Sequence, residues 1–242
     1  MAKNGIFGLV GLILTATSIL FLFFIILGGV TGTSPLDNTY FLQADTSGIT
    51  GARPVTRWNY FYFCGSGNRD CGPARAAPAF GRAWDGNADN VPSSLIGGHG
   101  GNTTSERLYY LWRFGWVFFI LTLFFTVIAF FAGFLVFFGR LGAAVAGSAS
   151  AFALFCYTVA VSLMTATFVI ARDAFNSNGR DASLGRWAFG FAWGGFTALL
   201  IATVLFCIGT RGEKGYSGRS WRRSRSVRSR NYEGRRVKDE YS

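Results

Sequence analysis

Few residues in this chain are of the types that perform catalysis or bind metal ions. The 242 residues include one histidine, His99, which lies in the glycine-rich run 97–101. That run resembles a phosphate-binding loop but is not followed by the lysine and hydroxyl residue that such a loop needs. A single loop histidine is more often exposed to solvent than catalytic. We therefore expect no catalytic residue, no metal site and no cofactor.

The four cysteines are the other residues whose side chains could react. Cys64 and Cys71 lie close together in one long segment, and we expect them to form a disulfide if that segment is extracellular. Free thiols and an intermolecular disulfide are the alternatives. Cys207 ends the last apolar stretch, where S-palmitoylation and burial as a small apolar residue are equally good interpretations. For Cys156, burial as a small apolar residue is the better interpretation.

The elements that would position these residues are membrane helices. Hydrophobic residues make up 50% of the chain and charged residues only 14%, whereas soluble domains average about 25% charged residues. A membrane span takes about 20 mostly apolar residues, and in lipid it must be a helix because unpaired backbone amides cost several kcal/mol. The predicted spans are 6–30, 111–138, 143–170 and 187–208.

These spans predict an all-α membrane protein, a four-transmembrane-helix bundle with a small disulfide-stapled extracellular β-hairpin or loop domain. We interpret 6–30 as a retained helix, because it is longer than the apolar region of about 7–15 residues in a signal peptide. The one charge inside the four spans, Arg113, lies near a span end, where it can reach the lipid headgroups.

Charge asymmetry predicts the orientation of the chain. The tail, 209–242, has eleven basic and four acidic residues, whereas the loop 31–110 has six of each. The positive-inside rule therefore places 1–5, the turn 139–142 and the tail in the cytosol, and the loops 31–110 and 171–186 outside. The net charge of +11 would suggest nucleic acid in a soluble protein. Because most of this excess lies in a tail tethered to the membrane, we expect no nucleic-acid partner, and the four spans predict a multi-pass membrane protein.

The long loop has two parts of different composition. Arg57–Cys64 reads RWNYFYFC, which is rich in aromatic residues and predicts a strand in a β-hairpin on the membrane surface. Its aromatic side chains would then lie at headgroup level. The stretch 72–101 is rich in Gly, Ala, Pro and Asn and predicts an irregular or mobile loop.

The end of this loop carries two local motifs. Thr103 and Glu106 have the spacing of a capping box, which predicts a helix beginning near Thr104. Asn102 begins the one N-x-[ST] sequon and is a candidate for glycosylation, about ten residues before the membrane.

The second loop carries two Arg-Asp pairs. We interpret Arg172-Asp173 and Arg180-Asp181 as solvated charges, local ion pairs or contacts with the long loop.

The tail is a candidate site for anionic lipid, such as phosphoinositides or phosphatidylserine. Each basic residue next to an anionic leaflet contributes about 1 kcal/mol, and a disordered topology determinant is the alternative interpretation. Phosphorylation of Ser226, which follows two arginines, would add negative charge and weaken binding. The lipid-binding candidates are Arg219, Trp221, Arg222, Arg223, Arg225, Arg228 and Arg230.

Small residues predict close helix packing. Gly190 and Gly194 form a G-x-x-x-G pair in the fourth span, the type of motif that lets transmembrane helices approach each other. Packing within the bundle is one use. Lateral association, either as a homo-oligomer or with other plasma-membrane proteins, is the other.

Several segments resemble the fungal Sur/PalI family of four-span plasma-membrane proteins in eisosome-associated domains. They read ATS at 16–18, SPLDN at 34–38 and YFLQADTSGI at 40–49. The outer loop adds a signature similar to that of claudins in its Trp and paired Cys, although Phe61 stands where a second Trp is expected. The signature residues are Arg57, Trp58, Tyr60, Cys64 and Gly65.

The resemblance covers roughly residues 1–210 and implies a non-enzymatic role in stable plasma-membrane domains. It also implies links to cell-wall integrity, endocytosis or membrane stress. A sensor or signalling subunit for ambient pH or wall stress is an alternative, since one branch of the family resembles such sensors. A small channel or carrier is a second alternative, disfavoured because no charged residue lies in the interior of a predicted span, away from its ends.

Overall fold

The structure, a computed structural model, describes residues 2–210 of the chain. Four long helices, each long and apolar enough to cross a membrane, form a bundle. Together with a small antiparallel sheet and one disulfide, they confirm the predicted claudin-like fold class. The helices are α1 (Ala2–Ile26), α2 (Glu106–Gly133), α3 (Arg140–Ser177) and α4 (Arg186–Thr210).

The helix ends differ from the predicted span ends. Helix α1 stops at Ile26, and the residues up to 30 form turns in place of the end of the predicted span 6–30. Helix α2 is continued by a 3-10 helix, Phe134–Phe138, and α3 follows after Gly139 alone, so the turn predicted for 139–142 is shorter. With 38 residues, α3 is about 57 Å long at 1.5 Å per residue. This exceeds the membrane core of about 30 Å, so part of α3 extends beyond it.

Four short strands form one antiparallel sheet at one end of the bundle. The strands are β1 (Leu42–Asp45), β2 (Val55–Trp58), β3 (Phe63–Cys64) and β4 (Ala182–Leu184). Their order is β3-β2-β1-β4, and Leu42 of β1 pairs with Trp58 of β2 and with Leu184 of β4. Because β4 comes from the second loop, the sheet joins both loops into what we call the loop domain, residues 27–105 and 178–185.

The single strand predicted over Arg57–Cys64 is wrong, because this segment contains two strands and the turn between them. The amide of Asn59 donates to the carbonyl oxygen of Tyr62 at 2.9 Å and closes the turn. Trp58 and Tyr60 are fully buried inside the protein, so these two aromatic side chains do not contact lipid.

The stretch 72–101 is irregular, as predicted, but it is packed. Phe80, Trp84 and Leu95 are buried, and the segment contributes a short 3-10 helix, Phe80–Ala83. Its side chains join the core that the sheet shares with the helices, which gives this segment a fixed place in the fold.

The predicted capping box is also wrong. Ser105 is the N-cap residue of α2 and makes no side-chain cap bond. The Thr103 hydroxyl donates to the Gly100 carbonyl oxygen, and the Thr104 hydroxyl accepts from the Gly81 amide at 2.8 Å. Both threonines therefore tie the loop together and do not cap the helix.

The loop domain and the adjoining half of the bundle share one apolar core. Phe41 of the loop domain stacks on Phe168 of α3 at 4.9 Å, and Trp112 of α2 meets the same ring edge-on at 5.0 Å. The sheet is thus seated on the helix ends and is not a hairpin lying on the membrane surface.

Small residues allow close helix contacts, and of the predicted pair only Gly194 makes one within this chain. Helix α1 packs along α4, and α2 along α3. A Cβ atom added at Gly194 would lie 3.2 Å from the Phe21 ring, and one at Gly195 would collide with the Tyr157 hydroxyl, whereas Gly190 has nothing within 4 Å. Within this chain Gly194 and Gly195 make the close contacts, and Gly190 does not.

Candidate functional site in the loop domain

Trp58 is the central residue of the loop domain. It ends β2 with its side chain in the core, where its ring stacks on Phe80 at a centroid distance of 4.9 Å. The indole Nε1 donates to the Phe80 carbonyl oxygen at 3.0 Å, and Trp84 packs against the ring edge-on. One signature side chain thereby holds the irregular segment against the sheet.

Arg57 points away from Trp58, because neighbouring residues of a strand alternate faces. Its guanidinium carbon lies 4.3 Å from the centre of the Tyr40 ring. Its Nε donates to Gln43 Oε1 at 2.7 Å and its Nη1 to the Asp37 carbonyl oxygen at 3.2 Å. Partial burial lowers the pKa of Arg57, and Tyr40 and Asp37 oppose that shift. This signature residue orders the polar face of the sheet.

Tyr60 joins the loop domain to α2. Its hydroxyl donates to the Trp116 carbonyl oxygen at 2.5 Å, and the Trp116 indole Nε1 donates to the Tyr60 carbonyl oxygen at 3.1 Å. The two rings stack with centroids 5.1 Å apart. Burial raises the pKa of Tyr60 above its usual value, which keeps the hydroxyl protonated and able to donate.

The expected disulfide between Cys64 and Cys71 is present. Asn59 lies beside it, with its Nδ2 3.1 Å from Cys64 Sγ and 3.3 Å from Asn68 Oδ1. The Gly29 carbonyl oxygen lies 3.5 Å from Cys71 Sγ. The disulfide therefore contacts the chain just after it leaves α1.

Gly29 and Gly65 make this arrangement possible. Gly29 has φ +86°, and a Cβ atom there would collide with the Asn59 amide. The amide of Gly65 donates to the Arg69 carbonyl oxygen at 2.7 Å and closes the turn between the cysteines. From this turn, Asn68 Nδ2 donates to the Leu36 carbonyl oxygen at 2.9 Å.

The second loop contacts the long loop through Arg180. Its Nη1 donates to the Ser47 carbonyl oxygen at 2.7 Å, and its Nη2 to the Asn90 carbonyl oxygen at 3.3 Å. Arg172 instead forms a local ion pair with Asp173 at 2.6 Å. Of the alternatives left open for the two Arg-Asp pairs, contact with the long loop applies to Arg180 and a local ion pair to Arg172.

Asp45 shapes the turn that Arg180 holds. Its carboxylate accepts from the Ser47 amide at 2.9 Å. Hydrogen bonds from Ser47 lower the pKa of Asp45, and the charge of Arg180 contributes in the same direction. The turn between β1 and β2 is thus stabilised by an ionised carboxylate.

The remaining candidates lie outside this arrangement. Asn102 is exposed in a turn with φ +61°, and Cys207 is exposed on α4. His99 is half-buried against Tyr109 and Tyr110, with ring centroids 5.1 and 5.7 Å away. Within residues 2–210 no group of three His, Cys, Asp or Glu side chains could hold a metal ion. The tail candidates Arg219, Trp221, Arg222, Arg223, Arg225, Ser226, Arg228 and Arg230 lie outside the described residues.

Sequence reasoning missed Trp116 as the partner of Tyr60, and Asn68 as a contact of the Leu36 carbonyl oxygen. A tryptophan near a span end is a recognisable signal, since Trp and Tyr concentrate at membrane interfaces. Nothing in the local sequence marks Asn68, because the carbonyl groups that it contacts lie in distant parts of the chain.

This combination of signature residues, disulfide and four helices agrees with a comparison against protein-family models. The model described as the SUR7/PalI family matches residues 7–205. The chain belongs to the SUR7/PalI family. The match covers the whole loop domain, all of α2 and α3, and most of α1 and α4.

Individual proteins of yeasts are similar to most of this chain. The SUR7 family protein FMP45 of Saccharomyces cerevisiae is 34% identical over 201 residues, which cover 81% of this chain and 63% of the relative. The uncharacterized plasma membrane protein YNL194C of the same yeast is 35% identical over 193 residues, covering 76% and 62%. Protein SUR7 of Candida albicans is 31% identical over 208 residues, covering 85% and 74%. The chain thus spans less than two thirds of the length of the first two relatives.

Proposed function

We propose that this SUR7/PalI chain is a non-enzymatic organiser of eisosome-type domains in the plasma membrane. Roles in cell-wall integrity, endocytosis or membrane stress would follow from that position. Family membership supports the proposal, and one relative is named a plasma membrane protein. In this proposal both termini are cytosolic and the loop domain meets the wall or a neighbouring protein.

The observation that carries the proposal is the shared core of the loop domain and the helices. Trp58, Phe41 and Phe80 belong to the same buried cluster as Trp112 and Phe168 of the bundle. A loop domain seated in this way keeps a constant orientation relative to the membrane. Constant orientation suits a protein that assembles laterally, since each copy then presents the same surface to its neighbours.

The hydroxyl groups of the spans favour a scaffold over a channel. Thr15, Thr122, Thr165 and Thr203 each donate to the carbonyl oxygen four residues earlier in their own helix, at distances of 2.7–2.8 Å. Such bonds satisfy the hydroxyls locally. An ion pathway needs polar groups that face a common pore, whereas these four hydroxyls each donate within their own helix.

In this proposal the tail holds anionic lipid on the cytosolic side. Six arginines lie within residues 219–230, and each contributes about 1 kcal/mol next to an anionic leaflet. Phosphorylation of Ser226 would release the tail, and palmitoylation of Cys207 would strengthen its attachment. Glycosylation at Asn102 would extend the loop domain toward the wall.

Imaging in fungal cells tests the proposal. A fluorescently tagged chain is expected in immobile patches whose fluorescence does not recover within minutes after bleaching. Replacing the six arginines of 219–230 with glutamine is expected to disperse the patches. Replacing the distal basic residues Arg235, Arg236 and Lys238 is the control and is expected to leave the patches intact.

Each alternative function predicts a different result. An evenly spread, freely diffusing chain would contradict the organiser. A sensor would gain or lose a tail-bound partner when pH or wall stress changes. A channel or carrier would produce solute flux in liposomes containing only the purified chain.

A further inference from the structure

A basic groove lies between the irregular segment of the loop domain and helix α2. Its volume is about 480 Å³, within the range of about 300–1,000 Å³ typical of small-molecule sites. Arg75 and Arg82 line it from the loop domain, and Tyr109 and Arg113 from α2. None of its lining residues is acidic. We call this site the arginine groove.

The three guanidinium groups of the arginine groove have no anionic partner among the described residues. Arg113 lies over the Tyr109 ring at 4.5 Å, and the side chains of Arg75 and Arg82 make no hydrogen bond or ion pair within residues 2–210. Elsewhere in the loop domain, Arg53 pairs with Asp70 at 2.9 Å. Three unneutralised cations around one concavity favour an anionic ligand.

The arginine groove lies at the depth of lipid headgroups. A membrane core takes about 20 helical residues. About 20 residues counted back from the end of α2 at Gly133 reach Phe114. The same count from the end of the following 3-10 helix at Phe138 reaches Phe119. Arg113 therefore lies at the edge of the core or within the headgroup layer, beside the phosphate groups of the adjoining leaflet.

Aromatic side chains beside the groove provide an apolar surface for the rest of a lipid. Tyr110 and Phe114 are 46% and 55% exposed, and their rings stack at 6.3 Å. On α2, Tyr110 lies between Tyr109 and Arg113, and Phe114 directly follows Arg113. A basic groove next to an exposed aromatic strip fits a lipid better than a fully water-soluble anion.

We infer that the arginine groove binds the phosphoryl headgroup of an anionic lipid in the leaflet next to the loop domain. Guanidinium groups pair with phosphate oxygens through two parallel hydrogen bonds, which gives strength and orientation. Glu106 is the nearest acid along α2, but it precedes Arg113 by seven residues, or about 10 Å along the axis, and does not line the groove. This site lies at the end of the bundle where α2 and α4 begin, opposite the end of α4 at Thr210.

Native mass spectrometry of the full-length chain in detergent tests the inference. The six arginines of 219–230 are first replaced with glutamine, so that the tail cannot supply the binding. Phosphatidylinositol is titrated against this background, with phosphatidylcholine as the zwitterionic comparison. One tightly bound phosphatidylinositol per chain is expected, at least about ten-fold tighter than phosphatidylcholine, since hydrogen bonds to charged groups contribute on that scale.

Charge-removing variants locate the site. R113Q and R82Q are each expected to weaken phosphatidylinositol binding about ten-fold or more. R107Q removes the same charge from the same helix outside the groove and is expected to leave binding unchanged. If R113Q does not fold, R82Q still tests the site, because the Arg82 side chain is exposed. Formation of the disulfide between Cys64 and Cys71 reports folding of each variant.

The remaining outcomes overturn the inference. Binding that is unchanged in both R82Q and R113Q, or reduced equally by R107Q, would show that the groove is not the site. Soluble inositol 1-phosphate is a separate arm and is expected to compete only at far higher concentration. If it binds as tightly as phosphatidylinositol, the occupant is a soluble phosphate and not a lipid.

Discussion

Tyr60 and Trp116 exchange two hydrogen bonds across the boundary between the loop domain and helix α2. Each side chain donates to the backbone carbonyl oxygen of the other residue, and the two rings stack. Trp116 belongs to a predicted membrane span and Tyr60 to the turn after β2. This pair connects the part of the chain in water with the part in lipid.

We predict that the two side chains contribute cooperatively to stability. Tyr60→Phe removes one hydrogen bond and Trp116→Phe removes the other, and each is expected to lower the free energy of unfolding by about 1 kcal/mol. Because the residues are in contact, the double variant is expected to deviate from additivity by about 0.5 kcal/mol or more. Denaturant titrations of the purified chain in detergent, followed by circular dichroism, measure both quantities. Strict additivity would mean that the two residues act independently.

Trp58 is expected to be the most sensitive signature position. Trp58→Ala empties a fully buried site and is expected to cost about 3–5 kcal/mol. Trp58→Phe preserves a ring to stack on Phe80 but loses the indole donor, and is expected to cost about 1–3 kcal/mol. The same titrations rank the two variants. Equal effects would show that the hydrogen bond, and not the ring, accounts for the role of Trp58.

Gly29 is expected to tolerate no side chain. Gly29→Ala would place a Cβ against the Asn59 amide at a positive φ, and the left-handed conformation alone costs about 1–2 kcal/mol. Gly32→Ala is the matched control, since nothing lies within 4 Å of a Cβ atom there. Non-reducing alkylation with mass spectrometry measures how much of each variant forms the disulfide between Cys64 and Cys71. A fully oxidised, stable Gly29→Ala protein would refute the proposed close approach.

Arg180 is expected to hold β4 in the sheet. Arg180→Gln removes the contacts with Ser47 and Asn90, and hydrogen exchange at the β4 amides is expected to accelerate about ten-fold. Exchange in β2 and β3 is expected to change little, because these strands pair with each other. Arg172→Gln serves as the control, since the ion pair of Arg172 is with the adjacent Asp173. Equal acceleration by both variants would indicate a general charge effect.

The four spans and the disulfide could be predicted because each depends on local composition or on few candidates. Long apolar stretches have one stable conformation in lipid, and only Cys64 and Cys71 occur in the long loop. Strand β4 could not be predicted, since it has three residues and pairs with a strand more than 130 positions earlier. Its stability comes from the sheet and not from its own sequence.

The errors in local motifs have specific tertiary causes. The aromatic run 57–64 has strong β propensity, but Trp58, Tyr60 and Phe63 are all buried, which a strand with one buried face cannot achieve. The sequence predicts a helix beginning near Thr104, yet the Thr104 hydroxyl accepts a hydrogen bond from the amide of Gly81 in a distant segment. Gly190 matches a packing motif but faces away from the other helices of this chain.

Hydrogen exchange across the whole chain tests most directly the central claim that the loop domain and the bundle form one structural unit. The purified protein in a lipid bilayer is exchanged into deuterated water, and protection is measured in β1, β2 and the first turns of α2. We predict opening free energies that agree within about 1.4 kcal/mol, or ten-fold in rate, because one core supports all three. Exchange of β1 and β2 that is faster by several powers of ten, with α2 still protected, would contradict the account.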